Sequence, residues 1–485
     1  MTDMPVQLPS FDAPPVAVAQ AHRRYFLTTD NWWFIVGTAF TISIACITFY
    51  ERDSLLIGLG LFCAIIVFLH TLRVSPTVPW IPGLISMVGF VQWVIAPWAN
   101  YHVPADASVF EMTLQPPDYF IYAVPVTIMF AVGMYLPMWR LGTTNKVQRS
   151  AVEPRDFRVT CDIMIVIGMI SFFFITRVGL NIRFLFTLLT YLAFIGAYGL
   201  MMVSAKGWTW KLTAVMAIRV AMSTSEGLFH DLLLWVVYTG ALIIFTKRVK
   251  VRTIILVAIA GIFFIGVLDE AKFAYRNQIR ENPDMTIPER FEALGQLIVV
   301  QAQLPVETFT GDALSHFVTR LNQGWIIART MYWVPVQEPY ANGETIINAF
   351  RAALIPRLLD PGKYEAGGVE YFERFTGFHL YNTSMNLGVA GEMYANFGLF
   401  GGIIGAFLFG CGIGYVYRIF FVLARSSIFW WAWAPYVLLY SMQAENGIGE
   451  GVNHVAKAFV VMLGVLYTIP AWRTLRLRQG RKVVA

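Results

Sequence analysis

The sequence predicts an all-α polytopic membrane protein, and two observations support that prediction. Hydrophobic residues make up 57% of the 485 residues and charged residues only 14%, whereas soluble proteins have roughly 45–50% apolar and about 25% charged residues. Apolar runs close to the roughly 20 residues that a helix needs to cross the hydrocarbon core recur along most of the chain. This composition excludes a soluble fold, a disordered chain and a disulfide scaffold.

Twelve apolar runs are predicted to be transmembrane helices. The first nine cover 31–50, 54–71, 78–98, 119–139, 161–179, 184–204, 209–223, 227–246 and 253–268, and the last three cover 399–422, 427–443 and 455–472. The run 209–223 is short and carries Arg219. The predicted organisation is a tail 1–30, nine helices within 31–268, a long segment 269–398, three helices within 399–472 and a basic tail 473–485.

Lysine and arginine in the short loops indicate the orientation, because these residues concentrate on the cytoplasmic side of a membrane. Arg23 and Arg24 precede the first run, a basic cluster lies at 247–252, and the tail 473–485 is basic again. Twelve alternating helices place all three in the cytoplasm, so both termini are expected there and 269–398 is expected outside. The net charge of +6 is therefore a topology signal, and we expect membrane lipids rather than nucleic acid as partners.

The external segment 269–398 is expected to form short amphipathic helices and to carry the active site. Residues 316–333 place apolar side chains at helical spacing on one side, the pattern of a helix that lies in the membrane interface. A transporter built from inverted repeats would have matching broken helices in both halves of the chain. Here the unusual polar residues lie in the second half.

Basic residues are concentrated at the start of this segment and within it. Lys272, Arg276 and Arg280 are four residues apart, so they lie on one side of a continuing helix. Guanidinium groups suit phosphate because their planar fork donates two parallel hydrogen bonds. The alternative is that the stripe contacts lipid headgroups and the other arginines are ordinary surface charges. The further polar residues singled out in the segment are His316, Arg320 and Arg357.

The polar residues that lead into the tenth run form the sharpest candidate site. Glu392 and Asn396 are four residues apart and are expected to face one cavity. A glutamate near the hydrocarbon boundary costs free energy unless it is paired or hydrated, so its presence indicates function. His379 is a second candidate base because histidine titrates near neutral pH. The alternative is a helix-packing motif with an interfacial histidine and a paired glutamate.

Other polar groups lie at the predicted outer ends of neighbouring helices. An intramembrane arginine such as Arg219 indicates function by default, and a structural ion pair with Glu226 or Asp231 explains it equally well. The turn 443–454 adds carboxyl and amide groups on the same side of the membrane. No HExxH or CxxC motif occurs, so neither a metal nor a cofactor is expected.

The stretch from Gly391 to Gly398 reads Gly-Glu-Met-Tyr-Ala-Asn-Phe-Gly. It resembles the Glu-x-Tyr-x-Asn-Phe-Gly signature of the O-antigen and exopolysaccharide polymerases, the Wzy-like family. The plan of many spans with one large external loop late in the chain also resembles that family over about 30–472, whereas specific residues match only over about 269–402. The chain departs from the family at 223–227, where many members have a Ser-Arg pair; Arg219, one turn earlier, is the candidate substitute.

The resemblance implies a metal-independent glycosyltransferase at the periplasmic face of the bacterial inner membrane. It would polymerise oligosaccharide repeat units carried on undecaprenyl pyrophosphate, for O-antigen, capsule or exopolysaccharide, with a chain-length regulator as a further candidate partner. The base would be Glu392 or His379. The pyrophosphate would be held by Arg276, Arg280, Arg320, Arg357 and Arg219. The saccharide would contact Tyr394, Asn396 and His316.

Two other functions fit the same sequence features. An O-antigen ligase uses the same lipid-linked donor but transfers the glycan to lipid A-core, and such enzymes share the plan of spans and one large loop. A flippase or transporter of a lipid-linked saccharide would instead place its charged groups near the middle of the bilayer. The sugar, its linkage, the oligomeric state and the stereochemical course are not encoded in any pattern that we recognise.

Overall fold

A computed structural model gives the fold of this protein. It describes residues 32–50, 55–102, 111–139, 141, 155–175, 177, 180–226, 229–247, 249–282, 284–303, 318–319, 321–355, 359–360, 362, 369–380 and 385–468. Across these residues the secondary structure is helical throughout and contains no strand. The predicted all-α class is confirmed for this part of the chain.

The helices follow the apolar runs closely in the first half of the chain. They are α1 Trp32–Tyr50, α2 Leu55–Val74, α3 Ile81–Phe90, α4 Ala96–Asn100, α5 Pro116–Tyr135, α6 Arg155–Ile175, α7 Leu180–Met202, α8 Trp208–Glu226, α9 His230–Lys247 and α10 Val251–Glu281. A π-helical segment, Val91–Ile95, joins α3 to α4, so these two form one helical unit, Ile81–Asn100.

The second half contains shorter helices before the last long ones. They are α11 Ile287–Gln303, α12 Gly324–Trp333, α13 Glu344–Leu354, α14 Val369–Thr376, α15 Gly388–Leu423, α16 Trp430–Val437 and α17 Ile448–Thr468. The short helices α12, α13 and α14 all fall within the segment that the sequence predicts to be external, which agrees with the expectation of short helices there.

Eight helical units in the described residues are long and apolar enough to cross a membrane, so the protein is a multi-pass membrane protein. They are Leu55–Val74, Ile81–Asn100, Pro116–Met138, Phe157–Ile175, Ile182–Met202, His230–Lys247, Gly388–Leu423 and Ile448–Thr468. Three other predicted spans are also helices: the described parts of α1 and α10 include the apolar stretches Ile35–Ile47 and Arg252–Gly261, and α8 is not among the eight.

The predicted span 427–443 is not one continuous helix. This stretch breaks into the eight-residue α16, which contains Pro435, and a 3₁₀ turn at Tyr440–Met442. A helix of eight residues is about 12 Å long and cannot cross a hydrocarbon core of about 30 Å. The apolar character of the stretch is explained by burial in the protein, since Trp431 and Trp433 are completely inaccessible.

Helix α15 is also interrupted, at Gly398. This glycine has φ 67° and ψ −161°, a conformation that is accessible to glycine and strongly disfavoured for other residues. The 25 residues that follow the break are about 38 Å long and can cross the membrane alone. The break coincides with the predicted start of the tenth span at 399 and separates the segment Gly388–Phe397 from the membrane-crossing part.

Glycines let α15 pass directly against α5. A Cβ atom on Gly410 or Gly414 would lie 2.4 Å from a backbone oxygen of α5, and one on Gly133 of α5 would lie 2.2 Å from the Phe407 oxygen. Small residues at such positions let two helices in a membrane pack backbone to backbone. Nearer the start of both helices, the Tyr122 hydroxyl donates to the Ala390 carbonyl at 2.7 Å. This bond fixes the segment that contains Glu392 against α5.

Candidate functional site

Glu392 lies in the second turn of α15 and is buried. Its Oε2 atom accepts a hydrogen bond from the Ile448 backbone N–H at 2.7 Å. Ile448 is the first residue of α17, so the carboxylate occupies the helix end where backbone donors have no partner within the helix and where negative charge is stabilised. The side chain of Thr345 also hydrogen-bonds Glu392.

A small cavity of about 20 Å³ lies beside Glu392, which is room for about one water molecule. Its walls come from α13, α14, the start of α15 and the start of α17. The lining residues are Thr345, Tyr371, Phe372, Asn386, Leu387, Glu392, Gly447, Gly449 and Glu450. Asn386 and Glu450 are partly exposed, so the cavity is closest to solvent on their side.

Glu450 supplies a second carboxyl group to this cavity. A Cβ atom on Gly447 would lie 2.8 Å from Oε2 of Glu450 and 3.0 Å from Oε2 of Glu392. These two oxygens are therefore at most about 6 Å apart, and both carboxyl groups border the same small cavity. A Cβ atom on Gly447 would thus crowd both carboxyl groups.

Asn396 positions the wall of the cavity. Its Nδ2 donates to Thr345 Oγ1 at 2.7 Å and to the Glu392 carbonyl at 2.8 Å, while its Oδ1 accepts from the Gly343 N–H at 2.9 Å. The side chain is completely inaccessible. The sequence placed Asn396 at the saccharide; in this structure its amide is fully engaged by the protein and joins the start of α13 to α15.

Tyr394 packs in an aromatic cluster next to Asn396. Its ring meets those of Tyr122 and Tyr340 edge to face, with ring centres 5.0 Å and 6.3 Å away. Such contacts hold the ring orientation. The side chain is buried and does not line the cavity at Glu392. Its predicted contact with the saccharide remains a prediction.

Arg219 forms the ion pair with Asp231 that the sequence left as one of its alternatives. The Nη2–Oδ2 distance is 2.9 Å, and the Tyr191 hydroxyl donates to the same carboxylate at 2.7 Å. Arg219 projects from α8 and is buried, with the ring of Tyr191 on α7 5.9 Å from its guanidinium carbon. This arrangement stabilises the packing of α7, α8 and α9. The structure leaves the predicted pyrophosphate contact of Arg219 as a prediction.

An arginine from another helix contacts the segment 223–227, which lacks the Ser-Arg pair of the Wzy-like pattern. Nη1 of Arg290, near the start of α11, donates to the Ser225 carbonyl, and the Tyr275 hydroxyl donates to the Thr224 carbonyl. Sequence reasoning did not select Arg290. It is separated from Ser225 by 65 positions, so no local pattern signals that the two residues meet.

A second polar cluster joins α9 to the turn before α17. His230 Nδ1 lies 2.9 Å from Glu445 Oε1, and Gln323 Nε2 donates to Glu445 Oε2 at 3.4 Å. Burial raises the pKa of Glu445, but the hydrogen bond and charge of His230 and the charge of Lys272 outweigh burial and leave the pKa below its ordinary range. The carboxylate is thus held ionised three residues before Ile448.

The basic stripe predicted from the sequence lies on one helix, because α10 continues to Glu281. Lys272 is close enough to influence the charge of Glu445, so the stripe starts beside the second polar cluster. Arg276 is partly buried and Arg280 is exposed. The basic side chains of the stripe thus become more exposed along α10, from Arg276 to Arg280.

His379 lies apart from Glu392. Its side chain is 77% exposed, its Nδ1 is 3.3 Å from Glu373 Oε2, and it does not line the cavity. The Leu380 N–H and, to a smaller extent, His379 hold the pKa of Glu373 below its ordinary range. Of the two predicted bases, only Glu392 is in the cavity. The predicted residues His316, Arg320 and Arg357 lie outside the described residues.

Sequence reasoning did not assign roles to Glu450, Glu445, His230 or Thr345. The turn 443–454 is visibly polar, but a single sequence gives no signal that it closes over Glu392. Within the described residues, no group of three His, Cys, Asp or Glu side chains is arranged to hold a metal ion. Comparison with protein-family models, curated proteins and solved structures finds no match to this chain.

Proposed function

We propose that this protein is a membrane glycosyltransferase that polymerises oligosaccharide repeat units carried on undecaprenyl pyrophosphate at the periplasmic face of the bacterial inner membrane. The observation that carries the proposal is the setting of Glu392, the glutamate of the signature. It is buried beside a small cavity, six residues before the break at Gly398, and has a second carboxyl group, Glu450, at most about 6 Å away. A buried acid at a membrane boundary is expensive without a function.

The proposed topology has twelve spans with both termini in the cytoplasm. In addition to the eight apolar helices, α1, α8 and α10 cross the membrane, and the broken stretch 427–443 crosses as a partly unwound segment surrounded by protein. Irregular backbone is tolerated at membrane depth when it is buried in this way. The segment 269–398 is then periplasmic, and the Glu392 cavity lies at the periplasmic ends of α15 and α17.

The reaction in this proposal is a direct displacement at the anomeric carbon. An acceptor hydroxyl forms the new carbon–oxygen bond, its proton passes to the Glu392 carboxylate, and the bond from the anomeric carbon to the lipid pyrophosphate breaks. Glu392 is suited to this role because Ile448 and Thr345 hold its carboxyl group in place. A positioned base typically contributes about 10²- to 10⁴-fold in rate.

The departing pyrophosphate requires cations. Arg276 and Arg280 supply them in the proposal, because they lie on α10 in line with Lys272, whose charge acts on Glu445 near the start of α17. Fixed cations aimed at charge that develops in the transition state lower the barrier without reorganisation. Arg320 and Arg357 are retained as further candidates, while Arg219 already neutralises Asp231.

The deciding experiment compares Glu392→Gln with the unaltered protein in proteoliposomes, with a defined lipid-linked repeat unit as the only substrate. Glutamine keeps an oxygen that can accept from the Ile448 N–H, so we expect normal folding and a loss of polymer of about 10²-fold or more. His379→Gln is the matched control, because His379 lies outside the cavity, and it should retain activity. Normal polymer from Glu392→Gln would overturn the assignment.

The same assay separates the neighbouring functions. A polymerase extends the repeat unit on its lipid without any other acceptor, whereas an O-antigen ligase forms product only after lipid A-core is added. A transporter would move the lipid-linked saccharide without forming a glycosidic bond. The break in α15 is a feature that transporters also have, so protection of the substrate from an external glycosidase should be measured alongside polymer length.

A further inference from the structure

Helix α13 presents an apolar face away from the protein. Ile347, Phe350 and Leu354 are 67%, 50% and 70% exposed. At 100° per residue these three side chains fall within an arc of about 60°. An isolated exposed apolar residue needs no explanation, but three in one stripe on an eleven-residue helix indicate a surface that is covered by something apolar.

The opposite face of α13 fixes its orientation. Thr345, Ala349 and Ala352 are buried, with at most 4% exposure, and this face packs against α17. Thr345 also lines the Glu392 cavity. The apolar stripe therefore cannot turn inward without removing a wall of the cavity, so its exposure belongs to the packed arrangement of the helix.

Backbone contacts set the level of α13 relative to the membrane-crossing helix. Ala341 N–H donates to the Ala395 carbonyl at 2.9 Å, Asn342 N–H donates to the Asn396 carbonyl at 3.1 Å, and Gly343 N–H donates to Asn396 Oδ1 at 2.9 Å. These bonds place the start of α13 beside residues 395–396, immediately before the break at Gly398 where the crossing part of α15 begins.

The occupant of the apolar stripe is identified by continuity with a lipid-facing surface. Phe400, Ile404 and Leu408 are exposed at successive turns of α15, and on a membrane-crossing helix such a stripe contacts lipid. Phe397 is exposed at the upper end of this stripe, and its ring lies 3.6 Å from the position of a Cβ on Gly343. The exposed apolar surface of α15 thus runs into the start of α13.

Charged groups border the apolar arc of α13 on one side. Glu344 and Arg351 are seven residues apart, and viewed down the helix axis both project at about 40–60° from Ile347. Arg351 pairs with Asp360, and Glu344 pairs with Arg374 at 3.0 Å. An apolar stripe with a charged edge is the arrangement of a helix that lies in the membrane surface, with its apolar side chains at the boundary of the acyl chains.

We infer that α13 lies in the leaflet at this end of α15, the outer leaflet in the proposed topology, with Ile347, Phe350 and Leu354 in contact with lipid hydrocarbon. Because Thr345 on the other face lines the cavity, α13 is the wall that separates the Glu392 cavity from lipid. This inference does not depend on the glycosyltransferase proposal, since lipid contact can be measured without any substrate.

The test uses fluorescence quenching in vesicles. Single cysteines replace Ile347, Leu354 or, as an aqueous control, the exposed Glu370 of α14, and each is labelled with an environment-sensitive dye in phosphatidylcholine vesicles that contain the full-length protein. Cys161 is completely buried and can stay, while Cys46, Cys63 and Cys411 are changed to serine. Both α13 positions are well exposed, so these changes should leave the fold intact.

Lipid carrying a spin label on its acyl chain should quench the dye at Ile347→Cys and Leu354→Cys at least about twofold more than at Glu370→Cys, and iodide in the buffer should give the reverse order. Equal iodide quenching at all three positions would overturn the inference. Protection from both quenchers at the α13 positions would also overturn it, because it would indicate a second protein copy on this face. Neither result would bear on whether the protein forms polymer.

Discussion

Replacement of Asn396 by alanine tests whether the signature asparagine positions the site or contacts the substrate. Its buried amide makes three hydrogen bonds: two connect α15 to the start of α13, at Gly343 and Thr345, and one lies within α15, to the Glu392 carbonyl. Alanine removes all three and leaves the Gly343 N–H without an acceptor in a buried place. If the role is positioning, the first damage should be local opening of residues 341–345.

The expected magnitude follows from the bonds that are lost. Each neutral hydrogen bond contributes about 1 kcal/mol net, and a buried donor left without an acceptor costs about 1–3 kcal/mol. Allowing for relaxation around the smaller side chain, we expect Asn396→Ala to lower the free energy of opening of this segment by about 2–4 kcal/mol. Since about 1.4 kcal/mol is a factor of ten, amide exchange at 341–345 should accelerate by roughly 30- to 1000-fold.

Hydrogen exchange followed by mass spectrometry on the protein in nanodiscs measures this directly. Asn322→Ala is the matched control, because Asn322 is an equally buried asparagine whose amide donates to Asn100 rather than to α13. It should leave the exchange of 341–345 unchanged. If Asn396→Ala abolished polymer formation while this exchange stayed at its normal rate, Asn396 would act on the substrate and the positioning argument would be wrong.

Three further predictions concern stability. Arg219→Gln should cost about 2–4 kcal/mol by leaving Asp231 uncompensated, and thermal unfolding should show most of that loss restored when Asp231→Asn is added; no restoration would point to a role outside the pair. Gly398→Ala should lower the unfolding temperature because its φ is positive, whereas Gly412→Ala, with nothing within 4 Å of its Cβ, should not. The pKa of Glu445 in the folded protein is below its ordinary value of 4.5. The ionised carboxylate therefore stabilises the fold above pH 4.5, and this contribution is lost as the pH falls through the pKa of the folded state. Glu445→Gln should weaken the dependence of the unfolding temperature on acid pH.

The membrane class and eight of the helices could be predicted because an apolar run of about 20 residues matches the thickness of the hydrocarbon core. The run 427–443 shows where that reasoning stops. It is as apolar as a span, yet Trp431 and Trp433 are covered by protein and its helix ends after eight residues. Hydropathy measures whether a side chain avoids water and does not distinguish lipid from the interior of a protein.

The candidate site was predicted in part for a related reason. Glu392 is conspicuous because a carboxyl group beside an apolar run is costly, and the Arg219–Asp231 pair could be named as an alternative because the two residues flank one predicted outer turn. Glu450 and Arg290 could not be assigned, since each meets its partner only through the tertiary fold. The spacing of Glu392 and Asn396 was informative, but their side chains are used differently: one faces the cavity and the other holds its wall.

These contacts give the signature segment a physical role that precedes any chemistry. The break at Gly398 ends the membrane-crossing part of α15, and two other helices, α13 and α17, begin beside the segment that precedes it. Helix starts expose backbone N–H groups, and an unpaired donor near the hydrocarbon boundary costs several kcal/mol. Asn396 accepts from Gly343 at one start, and Glu392 accepts from Ile448 at the other.

Of the Glu392 and Asn396 side chains, only Glu392 also borders a cavity. All the hydrogen-bonding groups of the Asn396 amide face protein atoms, whereas Glu392 borders a cavity that also contains Glu450. Thr345 links the two residues, since its hydroxyl accepts from Asn396 and hydrogen-bonds Glu392. A substitution at Asn396 or Thr345 should therefore change activity only as far as it displaces Glu392, whereas Glu392→Gln should remove the proton acceptor and leave the surrounding bonds in place.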